Sequence, residues 1–183
     1  MFTYIFIFMS YNLIVAVCRQ NGMGWQGRLP WQIKREMDYF TQLTKGDGNN
    51  AVIMGRKTWE SLPKLLTDRD NLVLSTTAKA HSAVKAHNAK FFASFDAIDA
   101  YLAENDYYED ILIIGGAEIY QHYLATNKIN KCYITYIDKD FECDTFFPPL
   151  DMTRWKAVAY EKVYDICELD YVVYERIDYG SGC

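Results

Sequence analysis

The sequence has few of the features that mark nucleic-acid-binding, membrane-spanning or disulfide-stabilised proteins. Nineteen lysines and arginines face 24 aspartates and glutamates, a formal net charge of −5, and an acidic surface repels polyanions. The apolar runs are far shorter than the roughly 18–20 residues that cross a membrane. The five cysteines are scattered, without the C-x-x-C spacing of zinc or thioredoxin-like sites. We therefore expect free thiols in a reducing, cytoplasmic compartment, no nucleic-acid partner and no membrane span.

Histidine is also scarce, and this argues against a metal site. His81, His87 and His122 do not lie near a cysteine or carboxylate at metal-ligand spacing. Repeats, low-complexity tracts and linkers are absent from the 183 residues, a length that corresponds to one domain at roughly 100–200 residues per domain. We expect a single domain over 11–178, an N-terminal extension over 1–10 and a flexible tail over 179–183. We also expect a monomer.

Short apolar runs alternate with amphipathic stretches along most of the chain, a pattern typical of βαβ units. It predicts an α/β domain with a mostly parallel sheet and helices on both faces. Two final strand-like segments, Trp155–Tyr164 and Leu169–Ile177, are four residues apart and predict an antiparallel hairpin at the sheet edge. Function should then lie at the carboxyl ends of the strands. The other predicted strands are Leu13–Val17, Ala51–Met54, Leu72–Leu74, Lys90–Ala93, Ile111–Ile114 and Cys132–Ile137, and the helices are Ile33–Thr44, Phe95–Glu104 and Ala117–Ala125.

The first of three glycine-bearing turns matches G-x-G-x-x-G at Gly22–Gly27, with Asp47 twenty residues further on. In a dinucleotide-binding fingerprint the last glycines open a helix that receives pyrophosphate. Here Arg28-Leu29-Pro30 follows and keeps the chain extended. We interpret this segment as a mobile loop over a site.

The other two turns follow buried strands. Gly55 precedes Arg56, Lys57 and Thr58 at a helix start, which indicates either a phosphate site or ordinary exposed cations. Gly115-Gly116 opens a second helix and permits close approach of a cofactor, although tight strand–helix packing would explain it equally. Three such turns in one α/β domain converge on one crevice.

Glu36 borders the apolar stripe expected on the first helix, formed by Ile33, Met37, Phe40 and Leu43 or Thr44. Helix geometry alone favours an acid that reaches the rim of the helix and stays solvated. The preceding Pro30-Trp31 and the glycine loop instead favour a lone acid in a covered pocket, suited to a cationic, amidine-like ligand edge or to proton relay.

Over residues 11–177 the chain resembles the dihydrofolate reductase family. The resemblance implies an eight-stranded sheet and an enzyme that reduces 7,8-dihydrofolate to tetrahydrofolate with NADPH. It rests on Ile14-Val15-Ala16-Val17, Asn21-Gly22-Met23-Gly24, Leu29-Pro30-Trp31, Val52 to Trp59, Asn71 to Ser75, Ile114-Gly115-Gly116 with Tyr120, and Asp144 to Pro148.

The resemblance also assigns the site residue by residue. Glu36 would bind the 2-amino-4-oxo edge of the pteridine and support protonation at N5, with Thr135 bonded to its carboxylate, Trp31 holding the site's water and Tyr120 beside the nicotinamide. Arg69 would bind the α-carboxylate of the glutamate tail. The substrate pocket would be lined by Ile14, Val15, Ala16, Met37, Phe40, Leu66 and Ile114. The cofactor would contact Ala16, Met23, Gly24, Gly27, Leu29, Gly55, Arg56, Lys57, Thr58, Leu74, Ser75, Thr76, Ile114, Gly115, Gly116, Ala117, Glu118, Ile119 and Tyr120.

Two segments depart from the family pattern. Residues 64–68 lack the usual proline and glycine before Arg69, and Asp68 stands next to that arginine, which predicts weaker tail binding. Thr76 replaces a cation beside the 2′-phosphate, so NADPH preference would rest on Arg56, Lys57 and Lys79. Alternatives that stay open are a same-fold reductase of another pterin or pyrimidine and an inactive member that binds folate or NADPH.

Overall fold

The computed structural model describes residues 10–64, 66–77 and 89–177 of the chain. The expected tail and nearly all of the expected extension lie outside the described residues, as do Lys79, His81 and His87. Ser10 is described, and it is the first residue of a strand rather than part of the extension.

The described residues form ten strands and four α-helices. The strands are β1 (Ser10–Cys18), β2 (Gly22–Gly24), β3 (Ala51–Gly55), β4 (Asp70–Leu74), β5 (Ala89–Phe92), β6 (Asp110–Gly115), β7 (Ile129–Ile137), β8 (Thr145–Phe146), β9 (Trp155–Tyr164) and β10 (Glu168–Arg176). The helices are α1 (Lys34–Lys45), α2 (Arg56–Ser61), α3 (Phe95–Glu104) and α4 (Ala117–Ala125).

Eight of these strands form one sheet in the order β5-β4-β3-β6-β1-β7-β10-β9. The six strands from β5 to β7 are parallel, whereas β10 runs antiparallel to both β7 and β9. The predicted α/β class, the mostly parallel eight-stranded sheet and the C-terminal hairpin are therefore confirmed. A small second sheet pairs β2 with β8, and the sequence did not predict it.

The central strands alternate between two buried faces, so β1 serves two separate cores. Leu13, Val15 and Val17 pack in a cluster with residues of α3 and α4. Ile14 packs on the opposite face with residues of α1 and α2. Helices thus cover both faces, as predicted.

Most of the stripe expected on α1 faces the sheet, but Met37 lies outside it and Glu36 lies inside. Met37 is 43% exposed, while Glu36 is 6% exposed and Thr44 is fully buried. Tyr39, Phe40 and Leu43 pack against the sheet core beneath the helix. The inward stripe therefore runs through Glu36 itself, and the expectation that Glu36 borders a stripe containing Met37 was wrong.

Candidate active site

A buried carboxylate is the main chemical feature of the α1 face. Glu36 lies in the first turn of α1, next to a sheet face lined by aliphatic and aromatic side chains. Burial raises the pKa of its carboxyl group to about 7, because a charge is costly away from water. The alternative of a solvated acid at the rim is excluded by this position. At neutral pH this group can therefore either accept or give up a proton.

Three residues from the sheet and α4 surround this acid. Burial, and next the charge of Glu36, raise the pKa values of Tyr120 and Tyr171, so both hydroxyls lie within its field. The Tyr120 hydroxyl donates a 2.8 Å hydrogen bond to the Ile14 carbonyl. Thr135 is buried on β7, in register with Tyr171, whose ring packs 4.3 Å from that of Tyr39 on α1. Thr135 therefore points to the α1 face.

The expected hydrogen bond between Thr135 and Glu36 is not formed among the described residues. Trp31 is buried just before α1, and its ring centroid lies 5.5 Å from that of Phe141. The Trp31 indole N–H has no hydrogen-bond partner among the described residues. A buried donor without a partner is costly. Trp31 packs in the same cluster as Tyr171, whose hydroxyl lies within the field of Glu36.

The residues expected to line the substrate pocket do not all face the same way. Ile14 and Ile114 belong to the cluster under α1, and Phe40 and Leu66 pack against it. Ala16 packs with the neighbouring cluster that contains Trp31. The Val15 side chain instead belongs to the cluster with α3 and α4. The alternation of β1 therefore leaves only the Val15 backbone on the α1 side, and its contact with substrate stays a prediction.

Arg69 is a buried cation at the start of β4, only 9% exposed. Its Nη1 donates to the Thr44 hydroxyl, and its Nε donates to the Thr67 carbonyl at 2.9 Å. Burial lowers the pKa of the guanidinium, and the Asp68 charge opposes that shift. These two bonds fix the plane of the guanidinium, so its outer edge is held in place for a carboxylate.

The ion-pair partner of Asp68 is Lys45 rather than Arg69, and the predicted weakening of tail binding by Asp68 stays a prediction. The Asp68 carboxylate lies 3.1 Å from the Lys45 ammonium, and this contact is the main cause of the lowered pKa of Asp68. Asn71 supports the segment that lacks the usual proline and glycine, since its side-chain N–H donates to the carbonyls of Leu66 and Arg69 at 2.9 and 3.2 Å. Sequence analysis did not identify Asn71 in this role, which no local motif signals.

The carboxyl ends of three strands meet beside this site. Gly55 of β3 is in register with Leu74 of β4, and Met54 pairs with Gly115 of β6. A Cβ atom on Gly116 would lie 3.3 Å from the Thr58 hydroxyl, and one on Gly55 would lie 3.4 Å from Ile119. The predicted convergence of the second and third glycine turns is confirmed, and together they form a backbone cradle without side chains of its own.

The remaining expected cofactor residues surround this cradle. Arg56 is half-buried and forms a 2.7 Å ion pair with Glu60, which explains a cation at a helix start without a phosphate. Lys57 is exposed and forms no ion pair among the described residues. Ser75 and Thr76 follow β4, Ile119 and Tyr120 are buried in α4, and Ala117 and Glu118 lie at its outer end.

The residues that follow the Gly22–Gly27 motif predicted that it does not open a helix, and the structure agrees. Trp25 and Arg28 instead exchange backbone hydrogen bonds of 2.9 and 3.0 Å, which closes a tight hairpin. Gly27 has a φ of +75°. Met23 is buried and Leu29 is exposed, at opposite ends of this loop.

The position of Gly115 predicts a measurable loss of stability on substitution. Its φ is +112°, and a Cβ atom would lie 2.9 Å from the Tyr120 ring. Gly115→Ala should lower the free energy of unfolding by about 2–4 kcal/mol, because the backbone strain of a positive φ adds to the steric clash with the Tyr120 ring. Gly48→Ala is the control, since its φ is +103° in open space and only strain applies. Equal losses in urea unfolding would contradict the contact with Tyr120.

The raised pKa of Glu36 predicts a pH-dependent cost to stability. The folded protein keeps the Glu36 proton up to about pH 7, whereas the unfolded chain releases it near pH 4.5, so stability falls as pH rises between these values. Glu36→Gln removes this slope. The stability of the variant relative to wild type should therefore rise by about 2 kcal/mol between about pH 5.5 and about pH 8.

Urea unfolding at the two pH values measures this difference. Asp38→Asn, on the exposed side of the same helix, should give no such change. If the free energy of unfolding of Glu36→Gln differed from that of wild type by the same amount at both pH values, the burial of the acid would be contradicted.

Within 10–64, 66–77 and 89–177 no helix is long and apolar enough to span a membrane. The same ranges hold no group of three histidine, cysteine, aspartate or glutamate side chains able to bind a metal ion.

The fold and the site together define an α/β oxidoreductase with a buried acid beside a glycine-lined cradle at the strand ends. The family model for dihydrofolate reductase matches residues 10–176. The chain therefore belongs to the dihydrofolate reductase family, and the predicted class of enzyme, which reduces dihydrofolate to tetrahydrofolate, is confirmed. The family uses a nicotinamide cofactor.

Individual relatives agree with the family model. The chain is 40% identical over 149 residues to the dihydrofolate reductase of Drosophila melanogaster, covering 78% of this chain and 81% of the relative. It is 36% identical over 159 residues to that of Heliothis virescens, covering 83% and 86%. It is 34% identical over 148 residues to that of Haemophilus influenzae, covering 81% and 84%.

Proposed function

We propose that this chain reduces 7,8-dihydrofolate to 5,6,7,8-tetrahydrofolate with NADPH, as a cytoplasmic monomer that serves one-carbon metabolism. The observation that carries the proposal is the buried acid on α1. Glu36 is the acid, and its pKa of about 7 lets it exchange a proton at neutral pH. Its apolar surroundings suit a flat heterocycle with hydrogen-bond donors along one edge.

Glu36 orients the pteridine and maintains a proton near its N5. The carboxylate accepts hydrogen bonds from the amino edge of the ring, and Thr135 and Trp31 supply further polar atoms on the same side of α1. Phe40, Leu66 and Ile114 exclude water from the ring faces, which strengthens the electrostatic effect of Glu36 on N5. Tyr120, bonded to the Ile14 carbonyl at 2.8 Å, fixes the strand end next to the ring.

Arg69 binds the other end of the substrate. Its Nε and one Nη1 hydrogen are used by Thr67 and Thr44, which leaves the Nη1–Nη2 edge for the α-carboxylate of the glutamate tail. A guanidinium fork of this kind binds a carboxylate through two parallel hydrogen bonds. Because Asp68 is paired with Lys45, it does not compete for that edge.

The glycine cradle fits a dinucleotide, because Gly55, Gly115 and Gly116 place backbone without side chains at adjacent strand ends. At Gly115 a Cβ atom would lie 2.9 Å from the Tyr120 ring, so a larger residue would collide there. When bound, NADPH supplies the hydride that reduces the pteridine. The backbone of Gly116 and the start of α4 would hold the pyrophosphate. Lys57 would neutralise phosphate charge, and the Thr58 hydroxyl would donate a hydrogen bond to a phosphate. Ser75 and Thr76 would receive the 2′-phosphate. The hairpin of Gly22–Leu29 covers the site as a lid.

Lys57 should determine part of the preference for NADPH. Unlike Arg56, it has no carboxylate partner in the part of the chain that the structure describes. Lys57→Gln should raise KM for NADPH about tenfold and leave KM for NADH nearly unchanged, since one exposed charge contact to the 2′-phosphate is lost. Lys64→Gln, an exposed lysine beyond α2, is the control. An equal rise in KM for NADPH and for NADH would mean that Lys57 contacts the pyrophosphate, which both cofactors have, rather than the 2′-phosphate.

Substrate choice distinguishes this proposal from a same-fold reductase of another pterin or pyrimidine. Steady-state kcat/KM should be much higher for dihydrofolate than for a dihydropterin without the p-aminobenzoyl-glutamate tail. A tail-less pterin that reacts as well as dihydrofolate would contradict the role of Arg69 and favour the alternative substrate. Cofactor binding without turnover of either compound would indicate an inactive member.

A further inference from the structure

Two cysteines far apart in sequence meet at the base of the Gly22–Leu29 hairpin. Cys18 ends β1, and Cys143 lies two residues before β8, 125 positions later in the chain. Their Sγ atoms are 3.6 Å apart. A disulfide bond is about 2.05 Å long, so the sulfurs need to approach by roughly 1.5 Å.

The backbone holds these two segments together independently of the thiols. Phe147 N–H donates to the Asn21 carbonyl at 2.9 Å, and Asp144 N–H donates to the Gly24 carbonyl at 2.9 Å. The β2–β8 ladder lies between these bonds. The segments that carry the sulfurs are therefore held next to each other by the backbone, whether or not the sulfurs are bonded.

Gly22 fits this pair of sulfurs closely. A Cβ atom at Gly22 would lie 2.5 Å from the Cys143 Sγ and 2.9 Å from the Cys18 Sγ. Real Cβ atoms do not approach sulfur so closely. Any side chain at position 22 would therefore push the two sulfurs aside, and only glycine lets them lie this close to the β2 backbone. The sulfurs and the glycine thus form one packed unit at the base of the hairpin.

An external reagent can reach only one of the two thiols directly. Cys18 is buried, whereas Cys143 is half-exposed and lines a surface cavity of about 280 Å³ together with Arg19 and Asp140. Burial, and next the contact with Cys18, raise the pKa of the Cys143 thiol to about 11. Attack at neutral pH is therefore slow, and an oxidant must be present in excess.

We propose that Cys18 and Cys143 form a reversible intramolecular disulfide that clamps the base of the Gly22–Leu29 hairpin to the segment before β8. The oxidant is a low-molecular-weight disulfide such as glutathione disulfide. The Cys143 thiolate attacks one of its sulfurs and releases one glutathione thiolate. The Cys18 thiolate then attacks the Cys143 sulfur and releases the second. The two protons of the protein thiols end on two glutathione thiols, and the two electrons reduce the oxidant.

The test incubates the full chain with excess glutathione disulfide and then maps its peptides by mass spectrometry without reduction. The proposal predicts a loss of two hydrogens in mass and one linked pair of peptides that contains Cys18 and Cys143. It also predicts a Tm higher by about 5–10 °C, since the bond closes a long loop. Dithiothreitol should reverse both changes.

Matched serine variants separate this site from the other thiols. Cys143→Ser and Cys18→Ser should each abolish the linked peptide and the rise in Tm. Cys167→Ser should retain both, because Cys167 is a buried thiol outside the pair. A stable glutathione adduct on Cys143, unchanged thiols after long exposure, or a lower Tm in the linked form would each overturn the proposal.

Discussion

Glu36→Gln should lower kcat/KM for dihydrofolate at neutral pH by about 10²–10⁴-fold. The amide keeps the shape of the carboxyl group and removes its ability to carry charge and exchange a proton. The wild-type rate should fall with rising pH through an apparent pKa near 7, since the proton held at the site is then lost. That inflection should be absent from the variant. Steady-state assays across the pH range measure both effects.

Asp38→Asn is the matched control for this substitution. Asp38 lies on the same helix, exposed and paired with Lys34, and the same chemical change there should leave the rate and its pH profile unaltered. A Glu36→Gln enzyme with near-wild-type activity would contradict the assignment of the acid. An unchanged inflection in its pH profile would assign the proton to a different group.

Arg69→Gln should raise KM for dihydrofolate about 100-fold with little change in kcat. The variant loses a buried, bidentate contact that is made equally in the ground state and the transition state. Arg69→Lys should give an intermediate loss, because it keeps the charge but not the fork. The kinetic constants for a dihydropterin without the glutamate tail should not change with either variant.

Arg35→Gln is the control, since Arg35 is exposed on α1. A fall in kcat without a rise in KM for Arg69→Gln would mean that Arg69 acts through Thr44 and α1 rather than through the substrate. A loss of activity with the tail-less pterin would have the same meaning.

The outline of the fold was predictable because most elements have strong local patterns. The bounds of α3, α4 and β9 agree with the predicted ones, since each combines clear periodicity with a local start or stop signal. The β2–β8 sheet was not predictable, because strands of three and two residues show no periodicity and their pairing joins distant parts of the chain.

The site was predictable only in part, and α1 shows the physical reason. Hydrophobic periodicity assigns apolar residues to the inner face, and Phe40 and Leu43 follow this pattern. It does not predict a carboxylate on that face. Glu36 is inside and Met37 outside because the site needs an acid where packing alone would place an apolar side chain. Contacts such as Asn71 with Leu66 depend on loop geometry, which no local pattern encodes.

The most direct test of the account follows NADPH absorbance in the presence of the purified protein, with and without dihydrofolate. The account predicts that NADPH is oxidised only when dihydrofolate is present, with tetrahydrofolate formed in equal amount. The Glu36→Gln variant, purified in the same way and expected to be at least about 100-fold less active, controls for contaminating reductases. NADPH oxidation that is independent of dihydrofolate, or equal in both preparations, would contradict it.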